Sequence, residues 1–208
     1  MTTATSSDRV NALRAQIQGK IEALVQEFAE GQISREQFHV IYDRYSSQLA
    51  LADMAAQSMA PGTILDTVNG GESTIAVKEQ HMGKAIGMSI YRRVGSTLLE
   101  TLGSFEVAPE QVRRIVSDFK GWGSDYETRQ IGPHQWLLIR TGRASTVVTL
   151  FHNEPSQMQV NVIARLHGDF ERANAAFFKG DSVDAGKLAY PFLTFIQQTI
   201  RGQGNSVR

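Results

Sequence analysis

The chain of 208 residues is 41% hydrophobic and 20% charged, with 21 basic residues set against 21 acidic ones. That composition is globular and excludes a collagen-like, wholly disordered or coiled-coil-only protein. Cysteine is absent, which removes a thiol nucleophile, Cys-ligated zinc and iron–sulfur clusters together and fits a reducing compartment.

Balanced charge argues against broad phosphate-backbone binding, so no nucleic-acid partner is expected. The first residues carry neither the basic nor the apolar region of a signal peptide, and no apolar run reaches the roughly 18 residues of a membrane span. A cytoplasmic protein is the expectation.

From Asp8 to Glu30 the apolar residues Val10, Leu13, Ile17, Ile21, Leu24, Val25 and Phe28 recur every three or four positions, the spacing of one helix face. Gly31 supplies the stop, and Ser34 followed by Gln37 has the spacing of a capping box that opens a second helix. Its stripe is Phe38, Ile41, Tyr42, Tyr45, Leu49 and Met54. Matched lengths and a tight turn predict an antiparallel hairpin over residues 1–57. Two amphipathic helices cannot enclose their own stripes, so the hairpin either packs on the rest of the chain or pairs with a second copy. For pairing, the candidate residues are Leu13, Ile17, Leu24, Phe38, Tyr42 and Tyr45.

Residues 58–73, with Pro61-Gly62 and Asn69-Gly70-Gly71, read as a linker to a second domain over 74–208. In that domain Thr74 to Lys78, Ala85 to Tyr91 and Ser96 to Leu102 alternate like strands, the last two joined as a hairpin at Val94-Gly95. Pro109 then opens a helix whose stripe is Val112, Ile115, Val116 and Phe119, ended by Gly121. Strands are predicted over Gln135 to Arg140, Ser145 to His152 and Gln157 to Ala164, with a short one over Tyr126 to Ile131. Leu188, Phe192, Leu193, Ile196 and Ile200 mark a last helix. The fold class expected is α+β, an antiparallel five-stranded sheet with packed helices, preceded by the antiparallel helical hairpin.

Catalytic signals are sparse. Gly83-Lys84-Ala85 lacks both the first glycine and the hydroxyl of a phosphate loop, and Gly121-Trp122-Gly123 lacks the third dinucleotide glycine. His39, His81, His134, His152 and His167 have no metal-ligand spacing, and Ser89 lies in a predicted strand without the second glycine of a nucleophile elbow. His152 with Glu154 has the residue types of a base and its orienting carboxylate, but Asn-Glu-Pro-Ser composition explains them as a turn. No catalytic residue, cofactor or metal is therefore expected, and the protein is read as not an enzyme. Aromatic and basic residues gather at Lys120, Trp122, Tyr126, Arg129 and Trp136, with Arg92 and Arg93 at the hairpin tip. From these, Trp122, Tyr126, Arg129, Arg92 and Arg93 are the candidate partner-binding residues, while Trp136, which begins an apolar strand, is assigned to the core.

Over about residues 85–201 the chain resembles the roadblock, or dynein light chain, family, whose profilin-like fold is a five-stranded antiparallel sheet with helices. Gly87-Met88-Ser89-Ile90-Tyr91-Arg92-Arg93-Val94-Gly95-Ser96-Thr97-Leu98-Leu99 resembles its opening hairpin, with Val94-Gly95 in place of the usual acidic-Gly pair. Asp184-Ala185-Gly186-Lys187-Leu188 resembles the short lead-in to its last helix. Gly168 to Asp181, with Phe170, Phe177 and Phe178, has no counterpart and reads as an insertion. The segment Gly31 to Phe38 also resembles the turn of helical-hairpin modules that mediate oligomerisation in bacterial proteins. The resemblance implies a non-catalytic homodimer that docks on other proteins, with a small Ras-like GTPase as the partner class. Two other readings compete with it: a small-molecule sensor with the sheet as one pocket wall and Phe170, Phe177 and Phe178 as a mobile cover, and a hydrolase built on His152, Glu154 and a serine.

Overall fold

The computed structural model describes residues 6–57, 73–119, 125–180 and 182–196. They fall into two units, Met1–Met82 and Gly83–Arg208.

In the first unit, α1 (Ser6–Ala29) and α2 (Arg35–Gln57) form the expected hairpin. The turn is closed by a glycine: Gly31 sits at φ +71°, while the Gly31 and Gln32 N–H groups donate back to Phe28 and Glu27 carbonyls, each at 2.9 Å. A left-handed residue just past a helix end satisfies the last carbonyls in this way, and glycine adopts it without strain. The capping box is present, with Gln37 N–H donating to Ser34 Oγ at 3.2 Å and Ser34 N–H to Gln37 Oε1 at 2.9 Å. An Arg14–Asp53 ion pair of 2.8 Å joins the far ends of the two helices, as antiparallel packing requires.

The predicted strand over Thr74 to Lys78 is instead a helix, α3 (Thr74–Gln80), so the start expected for the second domain lies within the first unit. Alternation over five residues carried the strand prediction, but Ser73 caps Ala76 N–H at 3.1 Å and sets the backbone turning. Val77 joins Ile17, Leu24, Ile33, Ile41, Tyr45 and Ala52 in one core. Polar bonds tie α3 across the hairpin: Gln37 Nε2 to the Lys78 carbonyl at 2.8 Å, Tyr45 Oη to Thr74 Oγ1 at 3.0 Å, and Lys78 Nζ to Glu27 at 2.8 Å. Met54, placed on the predicted stripe, is 61% exposed, and Ala52 and Ala55 are buried in that stretch. The linker residues 58–72 lie outside the described residues.

The second unit is the α+β fold. Strands β1 (Lys84–Arg92), β2 (Leu98–Gly103), β3 (Tyr126–Gly132), β4 (Gln135–Thr141) and β5 (Ser145–His152) form one sheet in the order β2-β1-β5-β4-β3. All neighbouring pairs are antiparallel. Central β5 is buried from Ser145 through Phe151 because both sheet faces are covered. On one face, Val112 and Ile115 of α4 (Pro109–Asp118) pack on Leu137, Ile139, Val148 and Leu150. On the other, Val160, Ile163 and Phe170 of α5 (Gln157–Ala173), with Leu188, Phe192 and Ile196, pack on Met88, Ile90, Leu138, Val147 and Phe151. Trp136, 8% exposed, belongs to this second core.

One correction follows for this unit. Residues 157–164 are not a strand: they open α5, which continues to Ala173 and so takes in the first residues of the segment Gly168 to Asp181, and a 3-10 turn follows over Phe177–Lys179. The alternation of Met158, Val160 and Val162 is set aside by a second capping box, Ser156 with Gln159, and by burial of Val160, Ile163, His167 and Phe170 at helical spacing. The short segment from Tyr126 takes the fifth place in the sheet. Near the end, Asp184 Oδ1 accepts from Gly186 N–H at 3.1 Å to open a single 3-10 turn, and residues 192–196 are helical directly after Pro191.

Candidate functional site

An aromatic ladder marks the first unit, with two exposed rings on either side of Phe38, which is half-buried against the core. The inward stripes repeat at Val10, Ile17 and Leu24 on α1 and at Ile41, Tyr45 and Ala52 on α2. A residue one position along a helix is turned by about 100°, so Tyr42 and Val25 leave the core beside Ile41 and Leu24. Phe28, Phe38 and Tyr42 meet there: the Phe28 and Phe38 ring centres are 4.8 Å apart, and Phe38 stacks on Tyr42 at 5.5 Å. Phe28 is 41%, Tyr42 39% and Val25 48% exposed. Contiguous apolar side chains in water are characteristic of contact surfaces. Of the residues predicted for self-association, Phe38 and Tyr42 belong to this ladder. Ile17, Leu24 and Tyr45 are buried in the unit's own core, because Val77 of α3 completes an enclosure that two helices could not make alone. Leu13 is half-buried against that core.

Of the predicted partner-binding residues, Tyr126, Arg129, Arg92 and Arg93 are among those described. Trp122, with Lys120, lies outside the described residues. Tyr126 Oη donates to Gln157 Oε1 at 3.2 Å, and Arg129 is held by Glu127 at 2.7 Å. Arg92 donates to the Gly180 carbonyl at 2.6 Å and Arg93 to the Gly142 carbonyl at 2.9 Å. Both arginines thus fasten loops of their own unit.

Sequence reasoning missed a buried cluster at the β4–β5 turn. Ser145 Oγ lies 2.8 Å from His167 Nε2 and 2.9 Å from Glu171 Oε1. The three residue types are those of a hydrolase triad, but their arrangement is that of a turn clamp. Glu171 also accepts the backbone N–H groups of Arg143, Ala144 and Ser145 at 3.1, 2.9 and 2.8 Å. A carboxylate only accepts, so the single Ser145 proton goes to Glu171, and His167 Nε2 carries hydrogen and donates to the serine oxygen. A protonated Nε2 is no base toward that hydroxyl, and Ser145 is fully buried. Burial pulls His167 down to about 4, against the pull of Glu171 upward. Burial raises Glu171, yet its bonds from Ala144, Ser145 and Arg143 outweigh this and hold it below the ordinary carboxylate range. Spacing gave a partial signal, since His167 and Glu171 share a helix face.

His152, the other catalytic candidate, stacks on His134 at 5.5 Å. His134 Nδ1 is 2.8 Å from Asn153 Oδ1, and Asn153 takes φ +64° in the turn. Phe170, predicted as a pocket cover, is fully buried, stacking on Tyr190 at 5.7 Å and meeting the tilted Phe192 ring at 5.6 Å. It is core because it lies on the buried face of α5 with Val160, Ile163 and His167.

On the α4 face of the sheet lies a cavity of about 330 Å³, lined by Ser89, Tyr91, Ser96, Leu98, Thr101, Phe105, Val107, Pro109 and Arg113. Phe170 packs in the core of the opposite face. Among the described residues no cluster of three or more His, Asp or Glu could hold a metal, and no helix is long and apolar enough to cross a membrane. No protein-family model matches the chain, and no curated protein matches it.

Proposed function

We propose that the protein is a non-catalytic regulatory or scaffold module that forms a homodimer in the cytoplasm and docks on a small Ras-like GTPase. The observation that carries self-association is the Phe28–Phe38–Tyr42 ladder, three neighbouring rings on an outer face of the hairpin. Rings buried between two copies would leave water with little loss of side-chain entropy, since each has two rotatable bonds. The non-catalytic reading is supported by the use of Ser145, His167 and Glu171 to lock a turn. The GTPase reading draws on the roadblock resemblance together with the five-stranded antiparallel sheet, in which β2 and β3 are the edge strands among the described residues, and sheet edges can accept a partner's strand. Fold analogy alone never fixes a partner, so retention decides it. Tagged protein is incubated with lysate in a GTP analogue and, separately, in GDP. Retention of a small GTPase in one nucleotide state supports the reading. Retention of none in either state, from a protein that still self-associates, removes the GTPase from it.

A further inference from the structure

The cavity on the α4 face is built by an irregularity in the edge of the sheet. Ser89 pairs with Thr101 and Ile90 with Glu100, but Tyr91 pairs with Leu98, so one extra residue is accommodated on β2 between these pairs. Alternation would otherwise put Leu98 and Thr101 on opposite faces. The bulge re-aims one of them, and both line the same cavity as Ser89 and Tyr91.

Its lining divides by chemistry. Leu98, Phe105 and Val107 make an apolar wall, and Leu98 is 51% exposed on an edge strand. Opposite in character are Ser89, whose hydroxyl is 3.2 Å from that of Thr101, then the Tyr91 phenol, and Arg113 on α4. Among the described residues Arg113 pairs with the Glu110 carboxylate at 3.2 Å, and the two side chains are 66% and 75% exposed. Exposed pairs one helical turn apart contribute little, and a guanidinium with five donors keeps capacity for a second, bidentate acceptor. A volume of about 330 Å³ lies at the small end of ligand sites, which run from about 300 to 1,000 Å³.

We propose that this cavity is a binding site for a small organic carboxylate with an apolar body, the carboxylate held by Arg113 and the hydroxyl groups and the body laid against Leu98, Phe105 and Val107. A single guanidinium beside an apolar wall matches one monoanionic head, whereas inorganic phosphate would leave the wall uncovered. Every lining residue belongs to the second unit, and none is part of the hairpin ladder.

The test uses the full chain, with 2-naphthoate, octanoate and benzoate as probes, and 2-naphthamide and inorganic phosphate as controls. Binding is followed by calorimetry and by the rise in Tm. At least one carboxylate is expected to bind, with the neutral amide weaker by about tenfold or more, as loss of a charged hydrogen bond implies. Arg113→Gln is expected to remove that preference. Arg114→Gln, on an exposed neighbour outside the lining, keeps it, and Leu98→Ala weakens every carboxylate. Binding of none of the three carboxylates by folded wild type overturns the site. Equal affinity for the amide, tighter binding of phosphate alone, or an unchanged preference in Arg113→Gln overturns the assignment of its ligand.

Discussion

The Glu171 carboxylate stands 2.9 Å from the Ser145 hydroxyl and 2.8 Å from the Ser145 N–H, so the last turn of α5 grips the first residue of β5. With the N–H groups of Arg143 and Ala144 on the same side chain, one residue completes the hydrogen bonding of the β4–β5 turn. Glu171→Ala leaves those donors unpaired in a partly buried site, and bonds to a charged acceptor are worth more than neutral ones. A loss of about 2 kcal/mol is expected in urea unfolding, whereas Glu106→Ala, at an exposed loop position outside the clamp, serves as the comparison with little change. Equal stability of the two variants would mean the clamp is idle.

His167 makes the same cluster sensitive to acid. Unfolded imidazole protonates near 6.5, but in the fold burial delays protonation to about 4. Between those values the unfolded chain holds more protons, so this contribution is complete above about 6.5 and falls as pH drops toward 4. Glu171 acts in the same direction at lower pH, because its depressed folded pKa gives stability that is lost as pH falls through that value. Asp125 opposes the His167 shift and Arg140 reinforces it. The urea midpoint should therefore decline from about pH 7 to about pH 5, and His167→Gln should flatten that limb. A flat wild-type midpoint over this window contradicts a neutral, buried His167.

Gly87 is required by close approach. A Cβ at this position would run into the Ser104 carbonyl and come within 2.7 Å of Phe105 N, where β2 leaves the sheet beside β1. The backbone cannot shift there without breaking the Ser104 N–H bond to the Ile86 carbonyl of 2.8 Å. Gly87→Ala should cost about 3 kcal/mol, in the range of overpacked cores, while Gly19→Ala, with nothing within 4 Å, should be neutral or slightly stabilising in its helix. Comparable thermal unfolding of the two would refute the steric account.

The helices of the hairpin were legible because two signals coincide there, a long stripe and a capping box. At Ser156 the same capping spacing was present, but eight residues of alternation masked it, and the start of α5 reads as a strand. Thr74 to Lys78 failed for the same reason on a shorter scale: a period-2 pattern over five residues does not outweigh a serine cap. The central strands were readable because β5 is apolar on both faces. Tyr126 to Gly132, an edge strand with Glu127, Thr128, Arg129 and Gln130, carries almost no apolar pattern, so only its pairing with β4 defines it. The cavity was not legible at all, since it depends on a bulge that no local pattern announces. The Ser145–His167–Glu171 cluster joins positions distant in sequence through the return of α5 across the sheet.

The Phe28–Phe38–Tyr42 ladder carries the central claim, and the mass of the full chain in solution tests it most directly. Light scattering over a range of concentrations should give about twice the 23.0 kDa of one chain, and the doubly substituted Phe28→Glu, Tyr42→Glu protein should stay monomeric with its helical circular dichroism intact. Because both side chains lie outside the core, the substitutions act on association and not on folding. A wild-type mass of 23.0 kDa at every concentration, or a folded double variant that associates as the wild type does, would contradict the account.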